Sequence, residues 1–592
     1  MIFIQNARST KNGGGFFTRK SLRVSNSSVV SLQNAIAGEH GGGFDASGEV
    51  EIAGNSTINI SNSHARNGGG FSTGKGLKVS SSSRLIIRNA TAGRYGGGFW
   101  AKGKTLISRS TVSIEDATVQ QSGGGFCASD EVVIDEMSSV SISSSRSGDQ
   151  GGGFHTDERL QVTKSSVVSL QNVTAGSHGG GFNAIGDVKI AGNSTVNISN
   201  SRAESGDGGG FDTEKGLKVF NGSRLTIRNA TAGRHGGGFY AKGKTLISRS
   251  TVRFEDATVQ QSGGGFCASD EVVIDEMSSV SIFNSRSRRG GGFHTDRRLQ
   301  VTNSSAVSLQ NVIAQKYGGG FNAIEEVEIA GNSTVKISNS RAEAKNGGGF
   351  DTEKGLKVSN GSRLIIRNGT AGGSGGGFYA KGRALISRST VSIENATSQQ
   401  HGGGFDALDE VVIGEMSSVR ISSSRSGWGG GFYTDRRLQV TKSSVVSLEN
   451  VTAGSHGGGF TALGEVEIAG HSTVNISNSH AESGSGGGFG TPKGLQVSNG
   501  SRLIIRHATA GNFGGGLYAL SKIAISRSTL SIQDAAAQAF GGGFLTLQEV
   551  VIDEMSSLRI SDSRSQQGGG FQSEGRLQVT NSSVVSLQNV TA

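Results

Sequence analysis

The chain has 592 residues, 97 of them glycine, with one proline, two cysteines, 33% hydrophobic residues and a net charge of +10. Apolar residues and glycine together make up about half of it, which is enough for a packed core if they are regularly placed. Lys and Arg are mixed with Asp and Glu along the whole length, so the basic stripe with aromatic platforms that binds nucleic acid is missing. No apolar run approaches the ~18 residues of a membrane span.

The opening segment, MIFIQNARSTKN, lacks the charged n-region, apolar h-region and small-residue cleavage site of a secretory signal. Ile4-Gln5-Asn6 instead matches an internal pattern, Ile227-Arg228-Asn229, and Leu587-Gln588-Asn589 stops where that pattern would lead into another glycine triplet. The chain is therefore expected to start and finish inside a repeat, either as a fragment of something longer or with its ends covered by another chain. Uncapped end strands predict end-to-end self-association.

From Gly13 to Gly568 the tetrad Gly-Gly-Gly-Phe recurs 21 times at intervals of 27 to 29 residues, with Leu517 replacing Phe once. A fixed period of this size points to stacked units in one continuous body, 1–592. Within Gly208–His235 three short segments alternate apolar with polar: Phe211/Thr213, Leu217/Val219 and Leu225/Ile227. Period-2 alternation means half-buried strands, and Gly, Asn and Ser supply turns between them. Three strands in 28 residues, with no helical periodicity, predict one coil of an all-β, single-stranded parallel β-helix solenoid. Coils about 4.8 Å apart would stack the phenylalanines into one internal column.

A polar column follows the last strand: Asn34, Asn62, Asn89, Asn172, Asn200, Asn229, Asn311 and Asn339. Amides stacked at a turn form a hydrogen-bonded ladder. If this ladder points inward, the sequons beginning at Asn89, Asn172 and Asn229 cannot carry glycan, which leaves Asn55, Asn193, Asn221, Asn332 and Asn360 as candidates.

The coils fall into five types that recur in order. After a partial coil, 1–12, five-coil blocks run over 13–150, 151–289, 290–428 and 429–567, and 568–592 begins another. The resulting rod is expected to be roughly 100 Å long. Cys127 and Cys267 take equivalent places five coils apart, about 24 Å at the sheet spacing, so no disulfide can join them. The residue after each Phe should point outward. That column reads Cys127, His155, Asn183, Asp212, Tyr240, then Cys267, His294, Asn322, Asp351, Tyr379. Cys, His and Asn are the types of a thiol nucleophile, its base and an orienting group, and Cys, His and Asp can hold zinc. The column changes to Asp406, Tyr433, Thr461 and Gly490 in the next block, and a parallel column splays its side chains. No catalytic residue, metal or cofactor is therefore assigned. An exposed column, or a shallow carbohydrate-binding stripe along it, is the expected role.

The segment Asn229–Ala241, NATAGRHGGGFYA, resembles the repeats of the chlamydial polymorphic outer membrane proteins, which carry G-G-A-[ILV] and F-x-x-N. Here the third small residue is Gly, Phe stands at the apolar position, and Ile86 stands where the F of F-x-x-N would precede Asn89. The resemblance implies a right-handed parallel β-helix of the pectate-lyase-like superfamily with an adhesive or structural role at a cell surface. The expected function is a non-enzymatic repeat rod for adhesion or scaffolding that binds glycans or cell-surface proteins. The alternative is a carbohydrate-active enzyme of the pectate-lyase-like kind.

Overall fold

The computed structural model describes residues 1–592. The chain is a parallel β-solenoid of about 21 turns of about 28 residues, without helix. No helix long and apolar enough to cross a membrane is present. The chain divides into two compact units, Met1–Arg288 with Gly292–Asp296, and Arg289–Gly291 with Arg297–Ala592.

In the first unit a representative coil has three strands, Phe211–Thr213, Leu217–Phe220 and Arg224–Ala232. Each pairs in parallel with its equivalents before and after, so like residues meet: Phe182 with Phe211 with Phe239, and Ile198 with Ile227 with Phe254. The second unit repeats this with Phe350–Thr352, Leu356–Ser359 and Arg363–Ala371. Phe211 lies 4.6 Å from Phe182 and 5.0 Å from Phe239, ring centre to ring centre, with near-parallel planes. Phe350 stacks on Phe321 and Phe378 in the same way. Each fully buried ring contributes about 2–3 kcal/mol by burial.

The glycine triplet makes the sharp entry to this column possible. Gly208 has φ +66°, and a side chain there would strike the carbonyl of Phe211. Its N–H donates to His235 O of the next coil at 2.8 Å. A Cβ on Gly209 or Gly210 would instead lie 2.1 or 2.5 Å from the carbonyl oxygens of Gly237 and Gly238 in the coil above. The first glycine is thus required by backbone conformation, the other two by the closeness of stacked coils.

A second ladder runs through the turn between the second and third strands. Ser166 N–H donates to Ser194 Oγ (3.1 Å), Ser194 N–H to Ser223 Oγ (3.3 Å) and Ser223 N–H to Ser250 Oγ (3.1 Å), all buried. In the second unit Ser333, Ser362 and Ser389 continue the pattern. Each hydroxyl satisfies the backbone N–H of the coil below, which a buried turn would otherwise leave unpaired.

The asparagine ladder forms, but on the outside. Asn229 Nδ2 donates to Asn200 Oδ1 (2.8 Å) and Asn200 Nδ2 to Asn172 Oδ1 (2.9 Å), at exposed positions. Each Asn has φ near +50°, a conformation Asn tolerates better than most residues. That reversal turns its side chain away from the core, so inward pointing does not bar these sequons from glycan.

Candidate functional site

The column after each Phe is not the exposed stripe expected from strand alternation. Cys127, His155, Asn183, Asp212, Cys267, His294, Asn322, Asp351 and Tyr379 are all buried, and Tyr240 is half-buried. These side chains do leave the solenoid core, but two flanking columns cover them. The αL turn at the first glycine folds the preceding residue over one side. His235 packs 5.7 Å from Tyr240, Tyr95 5.8 Å from Trp100, and in the second unit His401 stacks on Tyr433 at 4.5 Å. From the other side, the third residue after Phe bonds across: His155 Nε2 to Asp157 Oδ1 and His294 Nε2 to Asp296 Oδ1, both 2.9 Å, and Tyr240 OH to Ser269 Oγ, 2.9 Å. The column is the floor of a filled groove.

The floor holds unusual electrostatics. Cys127 pairs with His155 and Cys267 with His294 on adjacent strands, and each His is tied to an Asp. Burial pushes both thiols well above their usual range, which keeps them as thiols rather than nucleophilic thiolates. Asp212 is raised by burial, against the opposing pull of His178, whose Nδ1 lies 3.2 Å from Asp212 Oδ2. His178 is in turn raised, chiefly by that hydrogen bond. In the second unit burial pushes Asp351 up to about 8 and Asp406 up to about 7. No group of three or more His, Cys, Asp or Glu side chains is arranged to hold a metal ion.

One stretch of this floor is open. Where the column reads Thr461 and Gly490, an apolar groove of about 230 Å³ lies between Trp428 and His456 on one wall and Leu463, Pro492 and Leu520 on the other, with Tyr518 at its end. The change of residue types along the column was visible in the sequence. The wall residues were missed because the residue before the glycine triplet and the third residue after Phe are brought over the floor only by tertiary folding.

A separate feature recurs at the corner after the second strand. Met137 and Met277 in the first unit, and Met416 and Met555 in the second, are 73–75% exposed. Each follows a Glu, and both residues have positive φ. The Glu is fixed by the coil before it: Arg109 Nε to Glu136 Oε2 at 2.9 Å, Arg249 to Glu276 at 2.8 Å, Arg388 to Glu415 at 3.0 Å and Arg527 to Glu554 at 2.7 Å. Hydrogen bonds from Ser108, Arg109 and Lys164 hold Glu136 down at about 2. The result is an apolar knob beside a locked ion pair, once in each five-coil block.

No family model matches the chain, and neither does any curated protein or solved structure.

Proposed function

We propose that the protein is a non-enzymatic adhesive or scaffolding repeat that engages a macromolecular surface, glycan or protein, through many weak and equivalent contacts. The observation that carries this reading is the recurring Met–Glu–Arg corner, presented with the same geometry in every block. Equivalent sites on one chain gain avidity because each later contact is intramolecular. An exposed methionine supplies an adaptable apolar contact, and the adjacent ion pair fixes its neighbourhood. The resemblance of Asn229–Ala241 to polymorphic outer membrane protein repeats supports the same direction.

The test places the purified chain on immobilised polysaccharides and glycoproteins, scoring retention and any newly released reducing or unsaturated ends. Retention without cleavage is expected. Replacing one of Met137, Met277, Met416 and Met555 by Gln should weaken retention slightly, and replacing all four should weaken it by about 100-fold or more. Cleavage of any polymer, or unchanged retention by the fourfold variant, would overturn the proposal.

A further inference from the structure

The open stretch of the groove coincides with the place where the fourth block departs from its sister blocks. Trp428 ends the third block, where the other blocks end in Gln150, Arg289 and Gln567. Gly490 stands where the second and third blocks have Asp212 and Asp351 and the first has Ser72. Pro492 stands where they have Glu214 and Glu353 and the first has Gly74, and Leu520 where all three have lysine, Lys102, Lys242 and Lys381. In the second and third blocks the positions of Gly490, Pro492 and Leu520 carry charged side chains. Lys381 Nζ pairs with Glu353 Oε2 at 3.0 Å, Lys242 pairs with Glu214, and Asn322 Nδ2 donates to Asp351 Oδ1 at 3.1 Å. In the fourth block the ion pair becomes Pro492 and Leu520, and the Asn–Asp pair becomes Thr461 and Gly490. Relative to the second and third blocks, substitutions scattered through the sequence thus converge on one surface and change it from charged to apolar.

From this convergence we infer that the groove bounded by Trp428, His456, Leu463, Pro492, Leu520 and Tyr518 is a binding site for a small, neutral aromatic molecule with a single planar ring. Size fits: an apolar cavity of about 150 Å³ accepts benzene, and this groove holds about 230 Å³. Shape fits as well. Elsewhere this column carries flat side chains at the coil spacing, such as Trp100, His155, Tyr240, Tyr379 and Tyr433. Gly490, which pairs with Tyr518 on the next strand, leaves one rung of the column without a side chain beside Thr461, so a planar ring seated there stacks against Tyr518. Neutrality follows from the loss of both acids and the lysine. The sister His178 is held by Asp212 and Asp207, whereas His456 Nδ1 accepts the Ser485 N–H at 3.0 Å and burial lowers its pKa. His456 is therefore neutral, with its proton on Nε2, a donor for one acceptor such as a phenolic oxygen. A sugar would present several hydroxyls to Leu, Pro and Trp surfaces with few partners. The inference stands independently of the adhesive reading.

The chain has two tryptophans, so in a Trp100→Phe background Trp428 reports alone. The full chain is titrated with 4-methylphenol, cyclohexanol and methyl β-glucopyranoside while Trp428 emission is followed. A saturable change with 4-methylphenol is expected, with the other two at least ~10-fold weaker. Thr461→Asn with Gly490→Asp restores the sister pair and should weaken 4-methylphenol by at least ~10-fold. A side chain fits at Gly490, where a Cβ would meet nothing closer than Gly457 N at 4.0 Å. Pro492→Glu with Leu520→Lys, which changes only the wall, should weaken binding too. No saturation, equal binding of cyclohexanol, tighter binding of the glucoside, or unaltered affinity in both variants overturns the inference.

Discussion

His178 and Asp212 are bonded across adjacent coils, Nδ1 to Oδ2 at 3.2 Å, whereas two blocks later the same two positions hold His456 and Gly490. The two histidines accordingly move in opposite directions, His178 up and His456 down. Asp212→Gly should therefore lower the pKa of His178, because burial then acts without its largest opposing interaction. Imidazole proton shifts followed against pH in the full chain measure this. Because its folded pKa is raised, His178 contributes stability that is present below about 6.5 and lost as pH rises through the folded value. Asp212→Gly removes that contribution. An unmoved His178 titration would mean that the contact does not govern the imidazole.

Asp406 lies fully buried in the groove floor, and burial pushes it up to about 7, with Ser374 opposing. A carboxylic acid raised in the folded state favours folding only while it holds its proton. Its contribution is fully present below about pH 4, falls as pH rises toward 7, and is constant above. Asp406→Asn keeps the shape, removes the charge and should raise stability at pH 8 by several kcal/mol while changing little at pH 4. Denaturant midpoints of the full chain at the two pH values decide it; equal effects at both would show that Asp406 does not titrate in this range.

The sequence carried the solenoid plainly, because a tetrad such as Gly208–Phe211 has to repeat where stacked carbonyls leave no room for a Cβ. Strand alternation also located the Phe column. It failed one residue later. Alternation says which side of a strand Asp212 or Cys127 occupies, but not whether another segment covers that side, and the covering residues His178 and Asp157 lie in turns. The serine ladder was overlooked for a related reason. Serine in a turn reads as local turn chemistry, whereas the hydroxyl of Ser194 serves a backbone N–H 28 residues earlier.

That ladder predicts a cost confined to single atoms. Ser194→Ala removes the acceptor for the buried Ser166 N–H without creating a large cavity. Leaving such a donor unpaired costs about 1–3 kcal/mol. Ser194→Thr, which keeps the hydroxyl, should recover part of it if the extra methyl is accommodated. Urea unfolding of the three chains gives the comparison. A Ser194→Ala loss below about 0.5 kcal/mol would show that the N–H finds another partner or water.

Two glycines, one in the turn before the Phe column and one in the strand just after it, separate steric need from mere occurrence. Gly209 is the middle residue of its triplet, where a Cβ would lie 2.1 Å from Gly237 O and 2.6 Å from Thr231 O, both backbone atoms held by coil stacking. Gly490 follows a Phe, and the nearest atom to its would-be Cβ is at 4.0 Å. Gly209→Ala can be relieved only by separating coils, which breaks Gly209 N–H to Gly236 O, 3.0 Å, and its neighbours. It should cost at least ~3 kcal/mol. Gly490→Ala should stay within about 0.5 kcal/mol of the parent. Neither position has a left-handed φ, so the contrast reports contact between coils rather than backbone freedom. Similar costs at the two sites, read from denaturant midpoints, would mean that the coils can part locally and that the triplet is not set by the stacking distance.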